Sequence, residues 1–72
     1  MKNIDIIVQF SILWGLKIGN ATTEKDLKKA EEMKSYDSEE LSKIFINWAK
    51  EYQHSNEGDT VDFFEQKLND LF

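Results

Sequence analysis

A small, compact, all-α bundle of about four short helices is the fold this chain predicts. Three observations predict it: apolar residues recur at helical spacing in the later segments, those segments open on capping residues, and no proline interrupts the 72 residues. The connections left over are short polar turns around 19–22, 35–38 and 55–59, and turns of that length favour antiparallel neighbours. The whole of 1–72 is therefore expected to be one helical domain.

The clearest element lies between Asp37 and Asn56. Leu41, Ile44, Phe45, Trp48, Ala49 and Tyr52 fall on one stripe of a helical wheel, and Asp37 with Glu40 makes an N-cap pair that Glu39 supports with favourable charge. The last segment starts after Gly58 with Asp59 or Thr60 as cap, and gathers Val61, Phe64, Leu68, Leu71 and Phe72 into one arc. Between Thr22 and Tyr36, Thr23 and Asp26 form a further capping pair. Leu27, Ala30, Met33 and Tyr36 make only a thin apolar strip there, so this helix is expected on the outside. Its Lys25, Lys28 and Lys29 alternate with Glu24, Glu31 and Glu32 as an exposed, ion-paired face.

The first segment admits two readings. Ile4, Ile6, Val8, Phe10, Ile12 and Trp14 alternate like a half-buried strand, which would pair across a dimer and be followed by three helices. Alternatively 4–17 forms a helix that is apolar nearly all round and therefore nearly central, with Gly19 and Asn20 stopping it. The helix is preferred, because a lone strand leaves its backbone amides unpaired.

Composition narrows function more than it defines it. Fourteen carboxylates face nine basic residues, all lysine, and the chain has no cysteine and one histidine. Few nucleophiles, proton shuttles or soft metal ligands are present, so the chain is expected not to be an enzyme and to hold no cofactor or metal. A net charge of -5 repels nucleic-acid backbones and anionic lipid and favours basic protein surfaces. The apolar run near the start is too short and too polar to span a membrane. Lys2 is balanced by Asp5, and Gly19-Asn20-Ala21 makes a poor cleavage site, so a cytoplasmic protein is expected. The Asn20-Ala21-Thr22 sequon is then a chance match. Lysine, asparagine and isoleucine usage is that of an AT-rich source such as a bacterium or phage.

The individual candidates for chemistry give bland answers. Glu57, Asp59, Asp62 and Glu65 crowd a turn and helix start, but no register of a calcium-binding loop fits them: with Glu65 in the twelfth position, Asp59 stands where glycine belongs. A capped helix start accounts for these acids. His54 has no companion ligand, and Gly15 and Gly19 belong to no phosphate-binding motif.

What remains is surface. Ile46 and Phe63 fall off the apolar stripes of their helices, and with the first segment they make more apolar surface than a short chain is expected to bury. The leading expectation is an acidic protein-interaction module, self-associating or binding a basic or apolar partner surface. Trp14, Ile46 and Phe63 are its expected anchors, and Glu57, Asp59, Asp62 and Glu65 its steering charges. A second reading is an inhibitor that imitates nucleic acid through its carboxylates, against which Lys28, Lys29, Lys43, Lys50 and Lys67 interrupt the acidic field. A third, a dimer touching DNA through Lys25, Lys28 and Lys29, ranks below both because three lysines beside as many glutamates are a weak phosphate footprint.

Overall fold

The computed structural model describes residues 3–55 and 58–72, in which four helices and no strand occur. They are α1 (Asn3–Gly19), α2 (Glu24–Lys34), α3 (Ser38–Ser55) and α4 (Thr60–Leu71). The first segment is thus helical, and the alternative of a strand paired across a dimer does not hold. Within α1 every amide beyond the first turn finds a carbonyl in its own helix, a solution open to a single chain.

The helix starts follow the capping residues. Thr23 Oγ1 accepts the amide of Asp26 at 3.1 Å, Asp37 Oδ1 accepts that of Glu40 at 2.8 Å, and Asp59 Oδ1 accepts that of Asp62 at 2.8 Å. Each satisfies one of the amides that a helix start leaves without a partner. Gly58 turns the chain into α4 with φ of 74°, a left-handed conformation that glycine adopts without a steric penalty. The Tyr52 hydroxyl donates to the Gly58 carbonyl at 3.1 Å and ties that turn back to α3. Replacing Asp59 with alanine is expected to cost about 1 kcal/mol. In a domain of this size that lowers the thermal midpoint by roughly 4–8 °C, measurable by circular dichroism; an unchanged midpoint would show that the cap contributes nothing.

α1 is the organising element. Its backbone approaches α2, α3 and α4, whereas among the described residues α2 comes close to α1 alone. Ile6, Phe10 and Trp14 point into the centre of the bundle from α1. They meet Met33 of α2, Phe45, Trp48 and Ala49 of α3, and Phe64 and Leu68 of α4 in one apolar cluster. Phe10 is its hub, with ring centroids 5.8 to 6.2 Å from Phe45, Trp48, Phe63 and Phe64. Aromatic pairs at such separations add to the stabilisation that burial itself provides.

Two details of packing differ from the wheel. On α4 the buried arc runs through Thr60, Phe64 and Leu68 with Phe63 half-buried beside it, while Val61 faces solvent. The arc is rotated because Phe63 stacks on Phe10 and lies edge-on to Tyr52, contacts that outweigh the burial of one valine. On α2, Leu27 stays about half exposed and Ala30 with Met33 carries the contact. The lysines and glutamates of α2 are largely solvated as expected, yet among the described residues no ion pair closes within this helix. Long charged side chains in water gain little by pairing.

Candidate interaction surface

Because three helices cover one side of α1, its opposite side is bare. That side carries Ile4, Val8, Ile12 and Leu16, exposed by 66, 51, 57 and 52%. Spaced four residues apart, they form one ridge that advances about 18 Å along the helix axis. The inner face of the same helix holds Ile6 and Phe10, at 1 and 0%. A helix apolar on both faces can satisfy one of them inside so small a bundle.

The row beside the ridge is Ser11, Gly15 and Gly19, all exposed. A Cβ added at Gly15 would meet nothing within 4 Å, so no packing inside the bundle requires glycine there. Mid-helix glycine is about 1 kcal/mol less favourable than alanine. The Ser11 hydroxyl donates to the Ile7 carbonyl at 3.0 Å, leaving the trough without an unsatisfied donor. Asp5 is the single ionisable side chain from Ile4 to Leu16. Next to the trough, a shallow groove between α1 and α3 has Ile7, Trp14, Leu41 and Phe45 along its walls. The Ser42 hydroxyl at its edge donates to the Ser38 carbonyl at 2.8 Å. Ridge, trough and groove make one continuous face that offers apolar contact and little hydrogen bonding.

Among the described residues singled out in the sequence, Trp14 alone borders that face, at the groove. Trp14 is 5% exposed, with Tyr36 and Phe45 edge-on to its indole at 5.6 and 5.7 Å, so it fills the core and shows only an edge at the groove. Phe63 is half-buried, stacked on Phe10 at 6.1 Å, with Lys67 Nζ 5.6 Å from its ring centroid. Ile46 is 42% exposed on α3 and is the one expected anchor fully on the surface. Asp59 caps α4, Asp62 lies exposed in the first turn, and Glu65 is paired with Lys17 of α1. Glu57 lies outside the described residues. Asp59 and Glu65 therefore serve the start of α4 and its junction with α1, and Trp14 and Phe63 pack in the core. The ridge itself was present in the sequence as a four-residue recurrence of Ile4, Val8, Ile12 and Leu16, hidden because the intervening positions are also apolar.

A cleft of about 230 Å³ between the end of α1, α2 and α4 has Leu16, Met33 and Leu68 on its walls with Lys17 and Glu65 at its edge. It is smaller than the usual span of about 300–1,000 Å³ for small-molecule sites, and of its four charged residues Lys17 and Glu65 pair with each other while Asp26 and Lys29 bring opposite signs. Among the described residues no group of three or more histidine or carboxylate side chains converges to hold a metal, and no helix is long and apolar enough to cross a membrane. Three lysines stand beside carboxylates: Lys17 with Glu65, Lys67 with Glu51 at 2.7 Å and Lys43 with Glu39 at 3.7 Å. No known protein family matches this chain, and no curated protein or solved structure matches it.

Proposed function

We propose that this chain is a non-enzymatic, cytoplasmic protein-interaction module that docks through the outward face of α1. The exposed ridge of Ile4, Val8, Ile12 and Leu16 carries the reading, since contiguous apolar surface on a small domain marks a contact site more often than isolated apolar residues do. The partner surface is apolar where it meets the ridge. Self-association through the ridge fits this reading, and for a foreign partner the net charge of -5 favours basic groups around its margin. Ion pairs that neutralise Glu65, Glu51 and Glu39 weigh against mimicry of nucleic acid, which needs an uninterrupted run of unpaired carboxylates.

Ile12→Glu tests this directly. A charge in the middle of the ridge must be desolvated on docking, so binding is expected to weaken by about a hundredfold or more, while Ile46→Glu on α3 leaves it within about threefold. Immobilised parent chain and both variants, presented to extract of the source cell, are compared by the proteins each retains. Retention that is the same for all three would remove the ridge from consideration.

A further inference from the structure

Resting on that reading, we infer that the occupant of the α1 face is a second copy of this chain, in a two-fold pairing of α1 with its symmetry mate. The first support is shape. A two-fold interface sets one patch against itself, so the patch must contain both a protrusion and its complement. Here both are present on one helix. The ridge of Ile4, Val8, Ile12 and Leu16 runs parallel to the trough of Ser11, Gly15 and Gly19, each along a four-residue row. Two such helices crossing at about 50° place each ridge in the other's trough, the commonest way helices pack.

The second support is area. At the exposures observed, the four ridge side chains leave roughly 400 Å² of aliphatic surface bare, within the range at which a patch on a monomer is often functional. Two copies would cover about 800 Å² of it. With the trough and the adjoining groove walls at Ile7 and Leu41 the total reaches roughly 1,200 Å², the lower bound of specific, stable interfaces. An interface of that size makes the pairing a reversible dimer.

Charge separates this occupant from a basic one. Each copy carries -5, so two copies repel at long range and added salt relieves the repulsion. A complex with a basic protein would respond in the opposite sense. Polar interference at the contact is small, because Asp5 is the one charge on the ridge segment and the Ser11 hydroxyl is already bonded to its own helix.

Sedimentation equilibrium of the purified chain from about 10 μM to 1 mM, at low and at high salt, tests the assignment. The expected result is a monomer–dimer equilibrium that tightens with salt. Ile12→Glu and Gly15→Leu should each weaken it at least about tenfold, and Ile46→Glu should not. Gly15→Leu keeps the test independent of folding, since the space around Gly15 is open and leucine favours a helix; circular dichroism of the monomer verifies this. A single monomeric species throughout, a dimer weakened by salt, or a dimer indifferent to both α1 variants would overturn the inference. If the chain is monomeric while extract proteins are still lost with Ile12→Glu, the self-pairing fails and the docking face stands; if neither is seen, both fail.

Discussion

Phe10→Ala is expected to remove a large share of the fold's stability. The side chain is 0% exposed, and its ring is the shared neighbour of Phe45, Trp48, Phe63 and Phe64 from two other helices. Truncating a buried phenylalanine costs about 3–5 kcal/mol through lost transfer energy and the cavity left behind. A domain of 72 residues holds on the order of 4–11 kcal/mol in total. Collapse of the surroundings into the vacancy is restricted because its walls are rigid rings held by one another. Urea unfolding followed by circular dichroism checks the expectation: the midpoint should fall by at least about 2 M, or the folded baseline should vanish. A midpoint within a few tenths of the parent's would mean that Phe10 is not the hub of the core.

Met33→Ala is expected to act locally, although the residue is nearly as deeply buried. The loss is about 2–5 kcal/mol by the same reasoning. Its distribution differs, because α2 has only Ala30 and Met33 buried and, among the described residues, its backbone approaches α1 alone. The helix carries a strip of contact where α1 and α3 carry broad faces, so α2 can open while α1, α3 and α4 keep their shared aromatic cluster. Amide hydrogen exchange should show protection lost across Glu24–Lys34 first, with the amides around Phe45 and Phe64 retained. Uniform loss across all four helices would show that α2 is an integral part of the cooperative unit.

The contrast between these two positions reflects what sequence periodicity can and cannot specify. In α3 the apolar residues occupy one stripe and polar residues the rest, so the wheel identified Phe45, Trp48 and Ala49 as buried before any neighbour was known. Capping was equally legible at Thr23, Asp37 and Asp59, because a side-chain oxygen bonding an amide three residues on is a local event. In α1 the helix was the preferred of two readings, and its orientation was not legible. With isoleucine, valine and leucine on every side, nothing local distinguishes Ile6, which ends at 1% exposure, from Ile4, which ends at 66%. The choice is made by the aromatic rings of α3 and α4, to which Phe10 and Trp14 turn. The same rings account for Phe63. Its position off the arc of Val61 and Leu68 implied exposure, and only the tertiary placement of Phe10 and Tyr52 drew it in. The candidate surface was thus foreshadowed as an excess of apolar residues and located by packing.

The arrangement around α1 also bears on how the chain is made. Phe10 and its stacking partner Phe64 stand 54 positions apart, with the helix that must be covered emerging before the helices that cover it. At about 5–20 residues per second, a ribosome leaves that interval open for on the order of 3–11 s. During it, a nascent α1 carries both its aliphatic and its aromatic side unprotected. A chain made in that order keeps the faces of α1 uncovered until α3 and α4 follow.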